Sequence, residues 1–195
     1  MVYATLVVED ILQEAAVHRV LASEGIPVSI YRTIGLLGAG FIDTNVARLA
    51  RASAHGRYIV IRDLDRHRCP PELLRSLFGG KPPEGLLFVV PVREIESWIM
   101  ADAPSFRRFF SLSKLDPSPE LLDDPKEYLV SLARNSRKRA IRDGVAPRGT
   151  AKVGELYNSI LLDFIYNHWK VDRARGSSPS LQRFVDRLSV LGAGQ

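Results

Sequence analysis

Three carboxylates stand directly behind apolar runs. Glu9 follows VYATLVV (2–8), and Asp63 and Asp65 lie in YIVIRDLDRH (58–67). In an extended segment, residues i and i+2 point to the same side, so the spacing predicts that Asp63 and Asp65 present two carboxylates to one point. That arrangement suits a hard, oxygen-seeking cation such as Mg²⁺ or Mn²⁺, with Glu9 as a third ligand or as a base. A single acid after a strand more often caps a helix or solvates a loop. The three together point to metal-assisted chemistry. Glu94 and Glu96, in VPVREIESWIMAD (90–102), offer donors for a second ion. They also read as acids in the first turn of a helix, where they meet its positive end.

Competing chemistries lack their residues. GLLGAGFID carries Gly38 and Gly40 but places Asp43 where a dinucleotide-binding GxGxxG needs its third glycine, and GxxxxGK[ST] and GxSxG are absent. A haloacid-dehalogenase DxD wants Thr or Val where this chain has His67. Cys69, the single cysteine, lies between Arg68 and Pro70 without the setting of a catalytic thiol. One cysteine and four scattered histidines complete no zinc site. The net charge of +5 permits a polyanionic partner without requiring one. Its densest contribution is RNSRKRAIRDGVAPRGTAK (134–152), a basic run interrupted by one acid, Asp143. Arg134, Lys138 and Arg142 fall at i, i+4 and i+8 and predict one stripe of a helix, either a solvated face or a line of phosphate contacts.

The elements that must position these residues divide the chain in two. Strand-like segments at 2–8, 28–34, 58–62 and 86–92 alternate with helical ones at 11–23, 46–53 and 71–78. Strands separated by helices of this length imply a parallel sheet with right-handed crossovers, whose ligand sites gather at the carboxyl ends of the strands. Beyond residue 94 strand signals vanish, and helices are expected at 94–102, 104–111, 125–142, 153–168 and 179–190. The expected fold is therefore an α/β core over 1–93 with helices on both faces of the sheet, followed by an α-helical extension over 94–195 packed on it. With 46% hydrophobic and 25% charged residues the composition is that of an ordinary globular protein. No apolar stretch approaches the roughly 20 residues needed to cross a bilayer. Acids at Glu9 and Asp10 come too early for a signal peptide, so a reducing cytoplasm without membrane association is expected.

A glutamate after the first strand, a DxD after the third and a basic surface resemble the TOPRIM domain of topoisomerases, primases and OLD-type nucleases. More of the chain resembles one branch, the bacterial domain of unknown function 4276 family, in VREIESWIMAD (92–102), APRGTAKVGELYNSILLDFI (146–165) and SSPSLQRFVDRL (177–188). The resemblance implies a TOPRIM-like fold and Mg²⁺- or Mn²⁺-dependent phosphodiester chemistry. Asp63 and Asp65 would hold the ion, Glu9 would serve as general acid, base or ligand, and Glu94 or Glu96 would help bind a second ion. Nothing marks a topoisomerase's tyrosine-bearing domain or a primase's zinc domain, so the expected activity is that of a nuclease on DNA or RNA. Arg134, Arg137, Lys138, Arg139 and Arg142 would contact its phosphates. Relatives of this branch are encoded beside an ATPase in phage-defence settings, which makes an ATPase, besides nucleic acid and a second copy of the chain, an expected partner. The lysine that OLD-like enzymes place near their acids is Lys81 or Lys152. The alternatives are a non-catalytic regulatory or nucleic-acid-binding subunit of an ATPase complex and a small-molecule phosphotransferase.

Overall fold

A computed structural model of the chain describes residues 1–115, 118–147 and 150–193. Asp116 and Pro117 of the SKLDPSPE connection and Arg148 of the basic run lie outside them. Four parallel strands, β1 (Val2–Val8), β2 (Val28–Gly35), β3 (Arg57–Ile61) and β4 (Leu86–Val89), form one sheet in the order β2-β1-β3-β4. The crossovers run through α1 (Ile11–Glu24), α2 (Ala39–Ala52) and α3 (Pro70–Phe78). Asp10 opens α1, its carboxylate accepting the backbone N–H groups of Leu12 and Gln13 at 2.9 and 3.0 Å.

Period-two alternation in the strands explains why both faces are covered. Leu6, Val8, Ile59, Ile61, Leu87 and Val89 join one apolar cluster with α1. Val7, Val60, Leu86 and Phe88 point the other way, against Ile42 and Leu49 of α2 and Leu74, Leu77 and Phe78 at α3. The β1–β2 ladder is irregular: partners jump from Ala4↔Ile30 to Thr5↔Arg32, leaving Tyr31 as an extra residue. The Thr5 hydroxyl donates to the Tyr31 oxygen at 2.6 Å.

The rest of the described chain is helical: α4 (Ile95–Ala101), α5 (Ala103–Phe110), α6 (Pro125–Arg134), α7 (Arg139–Val145), α8 (Tyr157–Asn167), α9 (Val171–Ser177) and α10 (Pro179–Gly192). These helices extend the α1 side of the sheet, so one core runs from Leu6 and Ile59 through Val17 to Trp98, Phe106, Phe164, Trp169 and Phe184. Both indoles are fully buried and find acceptors. Trp98 Nε1 donates to Ser180 Oγ at 2.7 Å, and Trp169 Nε1 to the Trp98 carbonyl at 3.2 Å.

Several boundaries differ from the expectation. The helix expected over 125–142 is two, because Asn135 ends α6 and buried Ser136 makes a corner, donating its hydroxyl to the Phe110 carbonyl and accepting Lys138 N–H at 3.0 Å. Arg134, Lys138 and Arg142 therefore do not form one helical stripe. Helix α2 begins at Ala39 rather than 46, with Gly38 at its start (φ 79°). Helix α8 begins at Tyr157 rather than 153, and α9 has no counterpart in the sequence reading.

Candidate active site at the carboxyl ends of β1 and β3

The strand order places the sheet's switch point between β1 and β3, where chain connections depart to opposite sides and leave a crevice. Glu9 and Asp63 follow these two strands and meet there. Glu9 Oε1 accepts the Asp63 backbone N–H at 2.7 Å, and the Glu9 N–H donates to Gln13 Oε1 at 2.8 Å. Asp63 is buried, and its Oδ1 has no hydrogen-bond partner.

Asp65 takes a different direction. Its backbone is left-handed (φ 50°), so the segment is not extended through it and the carboxylates of 63 and 65 do not share one side. Asp65 is half exposed and binds Arg62, whose Nη1 lies 2.5 Å from Asp65 Oδ2. Arg62 is buried and is the hub of this flank. Its Nε and Nη2 reach the Asp43 carboxylate at 3.0 and 3.2 Å, and Nη1 also donates to the Asp63 carbonyl and stands 3.6 Å from Glu9 Oε1. Asp43 comes from α2.

The helical half supplies the opposite flank. Glu96 is fully buried; its Oε1 accepts the Tyr157 hydroxyl at 2.8 Å and faces Lys126 Nζ at 3.4 Å, while Oε2 has no partner. Glu94, at the start of α4, accepts the Lys126 backbone N–H at 3.0 Å. Sequence reasoning missed the parts that Lys126, Arg62, Asp43 and Tyr157 play here. One signal was available for Lys126. A lysine in a helix's first turn faces the positive end of the dipole, a placement that nearby acids must offset.

Burial dominates the electrostatics. It raises Glu9 from 4.5 to about 7, against the pull of the Asp63 N–H and Arg62. It raises Glu94 to about 7 as well, helped by the Glu96 charge. Asp63 is pushed well above the usual carboxylate range by burial and then by Glu9 and Glu96. Glu96 is raised by burial although Lys126 and Tyr157 oppose the shift. For Lys126, burial favours the neutral amine, but Glu96, Glu94 and Asp63 outweigh it and hold the ammonium.

An open cleft of about 940 Å³ lies beside these acids, lined by Asp65, Arg66, His67, Arg68, Glu94 and Lys152, among others. Arg93 braces its wall, with Nη1 donating to the carbonyls of Asp65 and His67 at 3.1 and 3.0 Å. Lys81 instead lines a hollow at the other end of the strands, with Arg57 and Gly85. Of the basic run, Arg134 lines a smaller hollow shared with Glu94, Lys126 and Lys152. The remaining members are partly engaged inside the protein. Lys138 Nζ donates to the Phe109 carbonyl at 2.7 Å, Arg142 to the Ser136 carbonyl at 2.7 Å, and exposed Arg139 pairs with Asp143 at 3.1 Å. Arg137 is exposed.

No family model, no curated protein and no solved structure matches this chain. The site's chemistry is thus read from its own residues. Two buried carboxylate oxygens without partners, on Asp63 and Glu96, are hard donors of the kind a divalent cation takes. Among the described residues, however, no three Asp, Glu, His or Cys groups converge closely enough to hold a metal ion as they stand. Arg62 and Lys126 supply the positive charge between the carboxylates. No helix of the described residues is long and apolar enough to cross a membrane.

Proposed function

We propose that this chain is a Mg²⁺- or Mn²⁺-dependent nuclease acting on DNA or RNA, with its site at the β1/β3 crevice. The observation that carries the reading is the pair of partnerless oxygens, Asp63 Oδ1 and Glu96 Oε2, buried in an acid cluster that has more carboxylates than cations. Buried charge without a partner is costly, and a divalent cation relieves it. Asp63, Glu9 and Glu96 would hold the cation, with Glu94 and Asp65 at the periphery. When bound, it would supply positive charge to the phosphoryl oxygens during in-line displacement.

The chain's own groups have distinct tasks. Glu9 titrates near neutrality in the metal-free site, so it would release its proton close to working pH as the cation binds. Lys126 and Tyr157 fix Glu96 in place. Lys152, Arg66 and Arg68 line the cleft beside the acids and contact the phosphate backbone, with Arg134 and exposed Arg137 extending that line. Phosphate contacts carry no base information, so binding is expected to be salt-sensitive and nearly sequence-independent. The TOPRIM resemblance implies the same ion-dependent chemistry but gives Asp65 the ligand's place that here falls to Glu96, and its lysine would be Lys152 rather than Lys81.

Calorimetric titration of Mg²⁺ and Mn²⁺, with plasmid and RNA cleavage on the same samples, tests the proposal. Metal binding and cleavage lost together in Asp63→Asn support it; cleavage that persists in Asp63→Asn or in excess chelator refutes it. One observation favours a second reading, a non-catalytic subunit of an ATPase complex: Arg62 and Lys126 already balance part of the acid charge. Tight partner binding with no turnover under any metal would establish that reading instead.

A further inference from the structure

Arg62 has a place that the strand pattern does not explain. It directly follows the buried strand β3, where an apolar residue is expected, and brings a cation among the carboxylates of Glu9, Asp43 and Asp65. Its guanidinium is anchored at both ends. Asp43 of α2 takes Nε and Nη2 in the fork geometry that fixes an arginine most firmly, at 3.0 and 3.2 Å. The remaining nitrogen, Nη1, lies between Asp65 Oδ2 at 2.5 Å and Glu9 Oε1 at 3.6 Å, and also meets the Asp63 carbonyl. Glu9 and Asp65 thus share a positive charge that is already part of the protein. That charge occupies the space between Glu9, assigned above to an incoming cation, and Asp65 at the periphery of the site.

We propose that Arg62, tethered by Asp43, is a positioning residue that stands in for a divalent cation between Glu9 and Asp65, so that metal binds there only as the guanidinium gives up Nη1. The inference rests on the metal-dependent reading of the site. Asp43 holds Nε and Nη2 and with them the plane of the guanidinium, so Nη1 leaves Glu9 and Asp65 only as that fork loosens. The same arrangement accounts for why no three ligand groups converge among the described residues.

The test compares Mn²⁺ affinity by calorimetry, and the thermal midpoint in chelator, for wild type, Arg62→Gln, Arg62→Lys and Asp43→Asn. A neighbouring opposite charge changes a carboxylate's affinity for a proton by about one to three powers of ten, and a metal cation responds with the same sign. Arg62→Gln is therefore expected to bind Mn²⁺ about tenfold or more tightly than wild type while melting lower in chelator. Arg62→Lys keeps the charge but loses the fork, and should return affinity toward wild type. Asp43→Asn loosens the fork, and its affinity should fall between wild type and Arg62→Gln. A structural role alone predicts the opposite, since a damaged site binds metal less well. Mn²⁺ affinity in Arg62→Gln equal to or below that of wild type, with circular dichroism unchanged, overturns the inference and leaves the nuclease reading standing. Should Arg62→Gln not fold, an unchanged Mn²⁺ affinity in Asp43→Asn overturns it. No Mn²⁺ binding by any form overturns both.

Discussion

Glu9 offers the sharpest quantitative test of the site. In the unfolded chain its carboxyl titrates near 4.5; in the fold, burial raises it to about 7. The folded state therefore keeps a proton that the unfolded state has released throughout the interval between those values. Stability from this group is fully present below about 4.5, falls as pH rises toward 7 and is level above it. The size of the fall is on the order of 3 kcal/mol, from 1.36 kcal/mol for each tenfold change in proton affinity. At 2–4 °C per kcal/mol for a chain of this length, the melting temperature should drop by roughly 6–12 °C. Glu94, Asp63 and Glu96 are raised as well and add to the slope, so the wild-type curve alone does not isolate Glu9. Glu9→Gln does, because the amide oxygen can still accept the Asp63 N–H while the titration is gone. Thermal and urea unfolding of both proteins in chelator, from pH 4.5 to 8, give the difference directly. The variant should be less sensitive to pH by about 3 kcal/mol across that range. Parallel curves, or a wild type that gains stability from pH 5 to 7, would refute the burial argument.

Three further outcomes follow from the same contacts. Asp63→Asn removes a buried carboxyl whose charged form burial and its acidic neighbours disfavour and whose Oδ1 has no partner, so without metal its melting temperature should gain on that of wild type as pH rises, while cleavage is lost. A variant that does not gain on wild type would contradict this. Tyr157→Phe takes one of the two donors from Glu96 Oε1 and should lower stability by about 1–3 kcal/mol in urea titration. Trp169→Ala empties the centre of the helical half and takes the indole donor from the Trp98 carbonyl, costing about 3–5 kcal/mol by the same method.

What the sequence disclosed depended on how local each signal was. The strands β1 and β3 are legible because VYATLVV and YIVI are unbroken apolar runs buried on both faces, and the parallel α/β class follows from their alternation with helices. Glu9 and Asp63 come together because the strand order makes β1 and β3 neighbours. Placing both acids at strand ends anticipated their common location. The rest depends on tertiary contacts. Asp65 departs from Asp63 because its left-handed backbone turns the chain, and no residue type announces that turn. Asn135 and Ser136 fit a helical period until the Phe110 carbonyl claims the Ser136 hydroxyl. GAGFIDTN reads as a loop by composition, yet α2 starts within it and carries Asp43 to Arg62. Arg62 looks like the polar end of a strand, and only the arrival of Glu9 and Asp43 from distant segments, beside nearby Asp65, gives it a role.

The extra residue in β2 bears on how this molecule meets others. β2 is one rim of the sheet, where unpaired N–H and C=O groups invite a foreign strand. With Tyr31 standing outside the ladder rhythm and the charged Arg32 beside it, a strand in register with Val28–Ile30 loses that register in the second half of β2. At the opposite rim, Arg187 of α10 places Nη1 2.7 Å from the Phe88 carbonyl and closes part of β4. Both rims of the sheet thus carry a feature that works against strand addition, an irregular register at β2 and a bonded carbonyl at β4.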